Sequence, residues 1–278
     1  MWRKGILVGL VALWVFAFIG APAEAKFYRQ HESDLDASVF RIDENKFMGT
    51  KLDPDLVLVD ENGQLRRFKE FTGKPVILIW SYFTCDGSCS AVNAELVNLL
   101  EKAKIKGIGS DVEILTISFD ADDTLETLKN FKKKLAVPET LQPGWHFALF
   151  KNRENIEPAT ASTGFKFFWA PQDKIFYHPN VFIFLTPEGR ISRYLYALVN
   201  TPKDVTLALL EAKAGHFKAN ETLDFAISLC YSYNYKEGRY TFNIPLFVGV
   251  GSLMLGISTL IGSVFFYRFR KNKGGRAQ

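Results

Sequence analysis

Cys85 and Cys89 stand four residues apart, directly after the apolar run at residues 76–83 and ahead of a helix-forming segment that starts near Ser90. Where the chain is helical, that spacing puts both sulfurs on one face, one turn apart. A helix N-terminus favours negative charge and raises the thiolate fraction, the form that binds soft metals or attacks disulfides. Gly87 leaves the intervening loop free to adjust. A metal held by two thiolates takes a further ligand from elsewhere, and thiolate with imidazole suits copper as well as zinc. The chain has four histidines. His31 lies in a polar N-terminal stretch, His146 sits between Trp145 and Phe147, and His216 ends a helix. His178 alone immediately precedes an apolar strand, so it is the candidate third ligand.

The elements that must position these groups read as follows. Residues 56–59, a turn at 60–63 and residues 65–68 form strand, turn and strand. The run 76–83 is nearly continuous in apolar character, which predicts a central strand buried on both faces. Val92, Leu96, Leu99 and Leu100 recur at helical spacing, residues 112–119 form a second buried strand, and Leu125, Leu128, Phe131 and Leu135 mark the next helix, capped by Asp122 or Asp123. Strand, helix, strand, helix implies a parallel pair with a right-handed crossover. Residues 145–169 hold a short strand and another helix ahead of 174–177. Thr186-Pro187-Glu188-Gly189 is a hairpin turn between strands 181–185 and 191–196, giving an antiparallel edge. Thr201 and Pro202 open a helix running to about Ala214. The fold class is α/β, with a central mixed sheet flanked by helices.

Both ends carry topology signals. Residues 1–25 read as an export signal, with Arg3 and Lys4, an apolar run and a small-x-small site at Ala23-Glu24-Ala25. Residues 26–50 are expected as an extended arm, 51–216 as the folded domain and 217–243 as a connector. Residues 244–267 contain no charged side chain and are long enough to span a bilayer. The tail, 268–278, holds Arg268, Arg270, Lys271, Lys273 and Arg276 and no acid. The positive-inside bias then places the C-terminus in the cytoplasm and the domain on the extracytoplasmic side of the cell membrane. Residues 26–243 hold 27 basic and 29 acidic side chains, so the overall net charge of +4 reflects topology and excludes a nucleic-acid footprint. Three cysteines do not make a disulfide scaffold. Cys230 is given no role.

The stretch Gly73-Lys74-Pro75 into Cys85-x-x-x-Cys89, then Ile117-Ser118-Phe119-Asp120, then His178 ahead of residues 181–190, resembles the Sco/SenC family over residues 52–215. The resemblance implies a thioredoxin-like, membrane-anchored copper chaperone for cytochrome c oxidase assembly. It implies one copper ion, Cu(I) or Cu(II), on Cys85, Cys89 and His178, with Asp120 an acid near the site. It further implies delivery to the dinuclear copper centre of an oxidase subunit, and a partner that keeps the thiols reduced. The main rival reading of the same residues is a thiol-disulfide oxidoreductase in which Cys85 attacks and Cys89 resolves, and a third is a copper-responsive sensor. Departures from the family are Asp86, where many members have proline after the first cysteine, and the C-terminal anchor. Pro179 follows the histidine where thioredoxins keep a cis-proline, so the His178–Pro179 bond is expected to be cis.

Overall fold

The structure, a computed structural model, describes residues 40–84, 88–197, 199–215, 231–234, 239–242 and 244–274. The signal segment, His31, Cys85, His216 and Cys230 lie outside the described residues.

The apolar run forms β3 (Val76–Ser81), with every residue buried. It ends two residues short of the expected strand because the chain leaves the sheet at Tyr82. β1 (Val57–Asp60) and β2 (Leu65–Arg67) make the expected antiparallel pair. β3 runs parallel to β4 (Glu113–Ser118), which runs parallel to β5 (Trp145–Phe150). β3 also pairs antiparallel with β8 (Val181–Leu185), and β8 with β9 (Ile191–Tyr196). The seven strands stand in the order β2-β1-β5-β4-β3-β8-β9. Parallel strands at the centre and antiparallel ones at both edges make the sheet mixed, as the sequence predicts. The strand at 174–177 finds its partner outside this sheet: β6 (Phe168–Ala170) and β7 (Ile175–Tyr177) form a separate hairpin.

Alternation along β3 explains why both faces are apolar. Ile77 and Ile79 pack with Phe182 and Phe184 beneath α2 (Ser88–Ala103), α3 (Leu125–Leu135) and α5 (Pro202–Lys213). Val76, Leu78 and Trp80 face the other way, into a layer with Leu52, Phe68, Ile156 and Phe165, where α4 (Ile156–Ser162) lies. α2 starts at Ser88, so Cys89 belongs to its first turn.

The cap of α3 differs from expectation. Thr124 is the N-cap: its hydroxyl accepts from Thr127 N at 3.3 Å, while the Thr127 hydroxyl accepts from Thr124 N at 2.9 Å. Asp123 is engaged elsewhere, so a threonine takes the capping position that either residue type can fill. α5 opens as predicted at Thr201 and Pro202, with Asp204 completing a capping box.

Residues 40–50 also depart from the expected extended arm. Glu44–Phe47 make a helical turn, α1, and Ile42 is buried in the second layer, with Phe47 and Met48 packed against it. The apolar side chains outweigh the polar ones around them, because they cover sheet surface that would otherwise be wet. Gly164 makes that approach close. Its φ is +71°, and an added Cβ would stand 2.5 Å from Phe47 Cδ2 and 2.7 Å from Ile42 Cγ2. Gly164→Ala is therefore expected to cost about 1–3 kcal/mol through overpacking and left-handed backbone strain. Urea denaturation reads this loss, and an unchanged midpoint would show that the turn yields without penalty.

At the other end, α6 (Ile244–Gly274) contains the stretch Leu246–Phe266, long and apolar enough to cross a membrane and unburied by the rest of the chain.

Candidate functional site

His178 is placed by the β3–β8 register. Val76 pairs with Leu185 and Leu78 with Ile183, and continuing that register brings Tyr82 and Phe83 level with Pro179 and His178. The rings bear this out: the His178 imidazole stands edge-on to Tyr82 at 6.0 Å. It lies 5.2 Å from Phe119 and 5.7 Å from Phe165. His178 is only 5% exposed. Tyr82 and Phe119 directly follow the parallel strands β3 and β4, so the histidine sits where the chain departs toward Cys85, two residues beyond Phe83.

The imidazole tautomer follows from its backbone contact. His178 Nδ1 is 3.0 Å from the Pro179 carbonyl oxygen, which only accepts, so Nδ1 carries the proton and donates. The neutral ring then holds its lone pair on Nε2, the arrangement in which histidine ligates a metal while its other nitrogen is fixed by an outer partner. The expected cis bond is not found: no peptide bond among the described residues is cis. A trans X–Pro bond is the intrinsically favoured form, and a strand entered directly at Val181 does not call for the tight reversal that a cis bond makes.

Two of the three acids after β4, Asp120 and Asp123, hold the approach to the cysteine loop. Asp123 Oδ2 accepts from Phe83 N at 2.6 Å and from Ser118 Oγ at 2.5 Å, while its Oδ1 accepts from Thr127 Oγ1 at 2.9 Å. Asp120 accepts from Asp122 N at 2.9 Å and from the Thr84 side chain. The last two residues before Cys85 are thus tied to a loop from the neighbouring strand. This role of Asp123 and Thr84, and the aromatic surround of His178, were not assigned from the sequence. The signal was present in part, since Tyr82 and Phe119 directly follow strands that the hydrophobic pattern identifies.

Burial raises the Asp120 carboxyl above its ordinary value. The Asp122 N–H and Thr84 hydroxyl oppose the shift, and the charges of Asp123 and Asp122 add to it. A folded pKa above the unfolded one means the native state binds more protons in that window, so stability falls as pH rises through it and the penalty persists at neutral pH. Asp120→Asn keeps an acceptor for Asp122 N and removes the penalty. The variant is expected to melt higher than the parent at pH 7, with the gain vanishing as pH drops through about 3.9. A gain independent of pH would show that burial of the charge is not its source.

On the face of α2 below Cys89, Asn93 is fully buried one turn further on. Its Oδ1 accepts from Thr116 Oγ1 at 3.0 Å, and Thr116 Oγ1 accepts from Trp145 Nε1 at 3.0 Å. This chain of side chains fixes the start of the helix to two strands. Among the described residues no group of three histidine, cysteine or acidic side chains is placed to hold a metal; Cys85 and the Cys89 side chain lie outside them. His146 is used otherwise, with Nε2 3.1 Å from Glu113 Oε2 at the opposite end of the sheet. Burial alone would raise the Glu113 carboxyl, but hydrogen bonds from His146 and Lys74 outweigh it and hold it below the ordinary value.

A central mixed sheet with helices on both faces, a Cys-x-x-x-Cys segment following the end of β3 and a buried histidine beside that strand end define a thioredoxin-like protein. The SCO1/SenC family profile matches residues 47–211, more than half of the chain, and the chain belongs to that family. Among solved structures, two described as a putative electron transfer and a putative electron transport protein of Aquifex aeolicus VF5 are each 30% identical. The first has a TM-score of 0.55 over 60% of this chain and 95% of its own. The second has a TM-score of 0.52 over 60% and 99%. A SCO1/SenC family lipoprotein from Bacillus anthracis str. Ames is 20% identical, with a TM-score of 0.51 over 59% of this chain and 95% of its own, and shares the fold. No curated protein sequence matches the chain.

Proposed function

We propose that the protein is a copper chaperone of the outer side of the cell membrane. It binds one copper ion through Cys85, Cys89 and His178 and delivers it to the dinuclear copper centre of cytochrome c oxidase. The reading rests on membership of the SCO1/SenC family together with one observation: the His178 Nδ1–H is committed to the Pro179 carbonyl. That leaves Nε2 as the basic nitrogen at the strand end where the cysteine segment begins. Two soft thiolates and one imidazole suit copper, and three protein ligands leave room for an incoming one. Copper is cargo here, so the chemistry needed is exchange of ligands between donor and acceptor. The aromatic rings about His178 limit water near the ion and favour its hand-over to another protein.

Leu246–Phe266 would anchor the chain, with the basic tail on the cytoplasmic side. In an oxidising compartment the thiols need a protein reductant before they can take metal. The test is an anaerobic copper titration of the reduced full-length chain in detergent, followed by sulfur–copper charge-transfer absorption. One equivalent bound, with a spectrum that needs both cysteines, is expected. Absence of binding, with rapid disulfide exchange on an exported substrate, would move the assignment to a thiol-disulfide oxidoreductase.

A further inference from the structure

The connector between the folded domain and α6 meets the domain at Tyr240, in the strand β11 (Arg239–Phe242), which pairs with β10 (Tyr231–Asn234). The Tyr240 backbone N–H donates to Asp204 Oδ1 at 3.1 Å. Its ring lies 5.9 Å from the Arg193 guanidinium, and it packs against the cluster beneath α2 and α5. Asp204 is 3% exposed, and its other oxygen accepts from Thr201 N at 2.6 Å and Thr201 Oγ1 at 2.7 Å. One carboxylate thus closes the helix cap and holds the connector. Arg193 is buried too, paired with Glu211 at 2.6 Å. Tyr240 lies over a group of charges that the fold has already taken out of water.

Strand directions fix which end of the domain this is. β3 and β9 both run antiparallel to β8, so they run parallel to each other. The end of β9 and the first turn of α5 therefore share an end of the sheet with Tyr82, His178 and the start of the cysteine segment. Ile244 follows Tyr240 by four residues, a span of at most about 14 Å. A domain of about 165 residues has a radius of gyration of about 15 Å, so a tether this short cannot let the opposite end turn toward the membrane.

We infer that Tyr240 is a latch that holds the site-bearing end of the domain close to the bilayer, so that hand-over takes place in the layer next to the membrane surface. The inference rests on the proposed anchor and adds the orientation that the anchor alone does not supply. Held this way, the site searches a thin layer above the lipid, where a membrane-bound acceptor gains effective concentration from the short tether.

The test uses the full chain in lipid nanodiscs whose headgroups carry an energy acceptor. A fluorescent amino acid is placed either at Asp122, in the loop after β4 at the site end, or at Ser110, in the loop before β4. A six-residue strand such as β4 separates its ends by about 20 Å, so transfer from position 122 is expected to exceed that from position 110 about twofold or more. A flexible Gly-Ser insertion of about twelve residues after Phe242, reaching roughly 20 Å, is expected to lower transfer from position 122, and Tyr240→Ala combined with it to abolish the difference. Circular dichroism checks that the domain stays folded. Equal transfer from both positions, or more from 110, overturns the latch while leaving the anchor in place. No transfer from either removes the anchor and the latch together, and neither outcome touches copper binding, which the titration reads separately.

Discussion

Replacing His178 with alanine is expected to lower copper affinity at least 100-fold, about 2.7 kcal/mol, while leaving the Cys85–Cys89 pair able to oxidise. Changing an outer partner of a metal-bound histidine already costs about 10–100-fold, and this substitution removes the ligand itself. The buried ring is also fixed by the Pro179 carbonyl and three aromatic neighbours, so a water molecule is a poor substitute in that position. Competition against a Cu(I) chelator measures the affinity, and thiol counting after mild oxidation measures the pair. Affinity within threefold of the parent would take His178 out of the ligand set and favour the oxidoreductase reading. The aromatic surround predicts some loss of stability as well, which thermal melting of the metal-free variant separates from the loss of copper.

The central sheet was legible because its strands are buried on both faces: β8 is wholly apolar, β3 is apolar up to Ser81, and β4 keeps Ile114, Leu115 and Ile117 among its polar residues. Strand order across the edges was not, since the β1–β5 pairing joins segments far apart in sequence and leaves no local mark. The sequence singles out His178 over His146 because a residue before an apolar strand lies at a sheet end, and the β3–β8 register sets His178 at the end where the cysteine segment begins. What the sequence did not reveal was how these groups are held. Asp123 looks like a cap beside Thr124, and only the folded loop shows its carboxylate reaching Phe83 N and Ser118 instead. Ile42 and Phe47 stand among charged residues, so their burial depends on an open sheet face that no window of sequence displays. Asp204, Glu211 and Arg193 each resemble ordinary surface charges on amphipathic elements, and burial emerges only when β9, α5 and the connector come together.

That buried group leads to the largest effect on stability. Arg193 Nε and Glu211 Oε2 are 2.6 Å apart, with side chains 7% and 3% exposed. Replacing Arg193 with methionine leaves the Glu211 carboxylate in the interior without its cation, and breaking a buried pair in this way is expected to destabilise the domain by about 3–5 kcal/mol. Glu211→Leu strands the guanidinium and is expected to cost a similar amount. The double variant, Arg193→Met with Glu211→Leu, removes both charges and fills their volume, so it should recover most of the loss. Urea denaturation of the four proteins gives a double-mutant cycle, and single substitutions costing under 1 kcal/mol would mean that water reaches the pair. Because Arg193 also lies under the Tyr240 ring, its loss should loosen the connector as well. If it does, the Arg193 variant will show the weaker end-to-end contrast in energy transfer, while the double variant, although stable again, will not regain it.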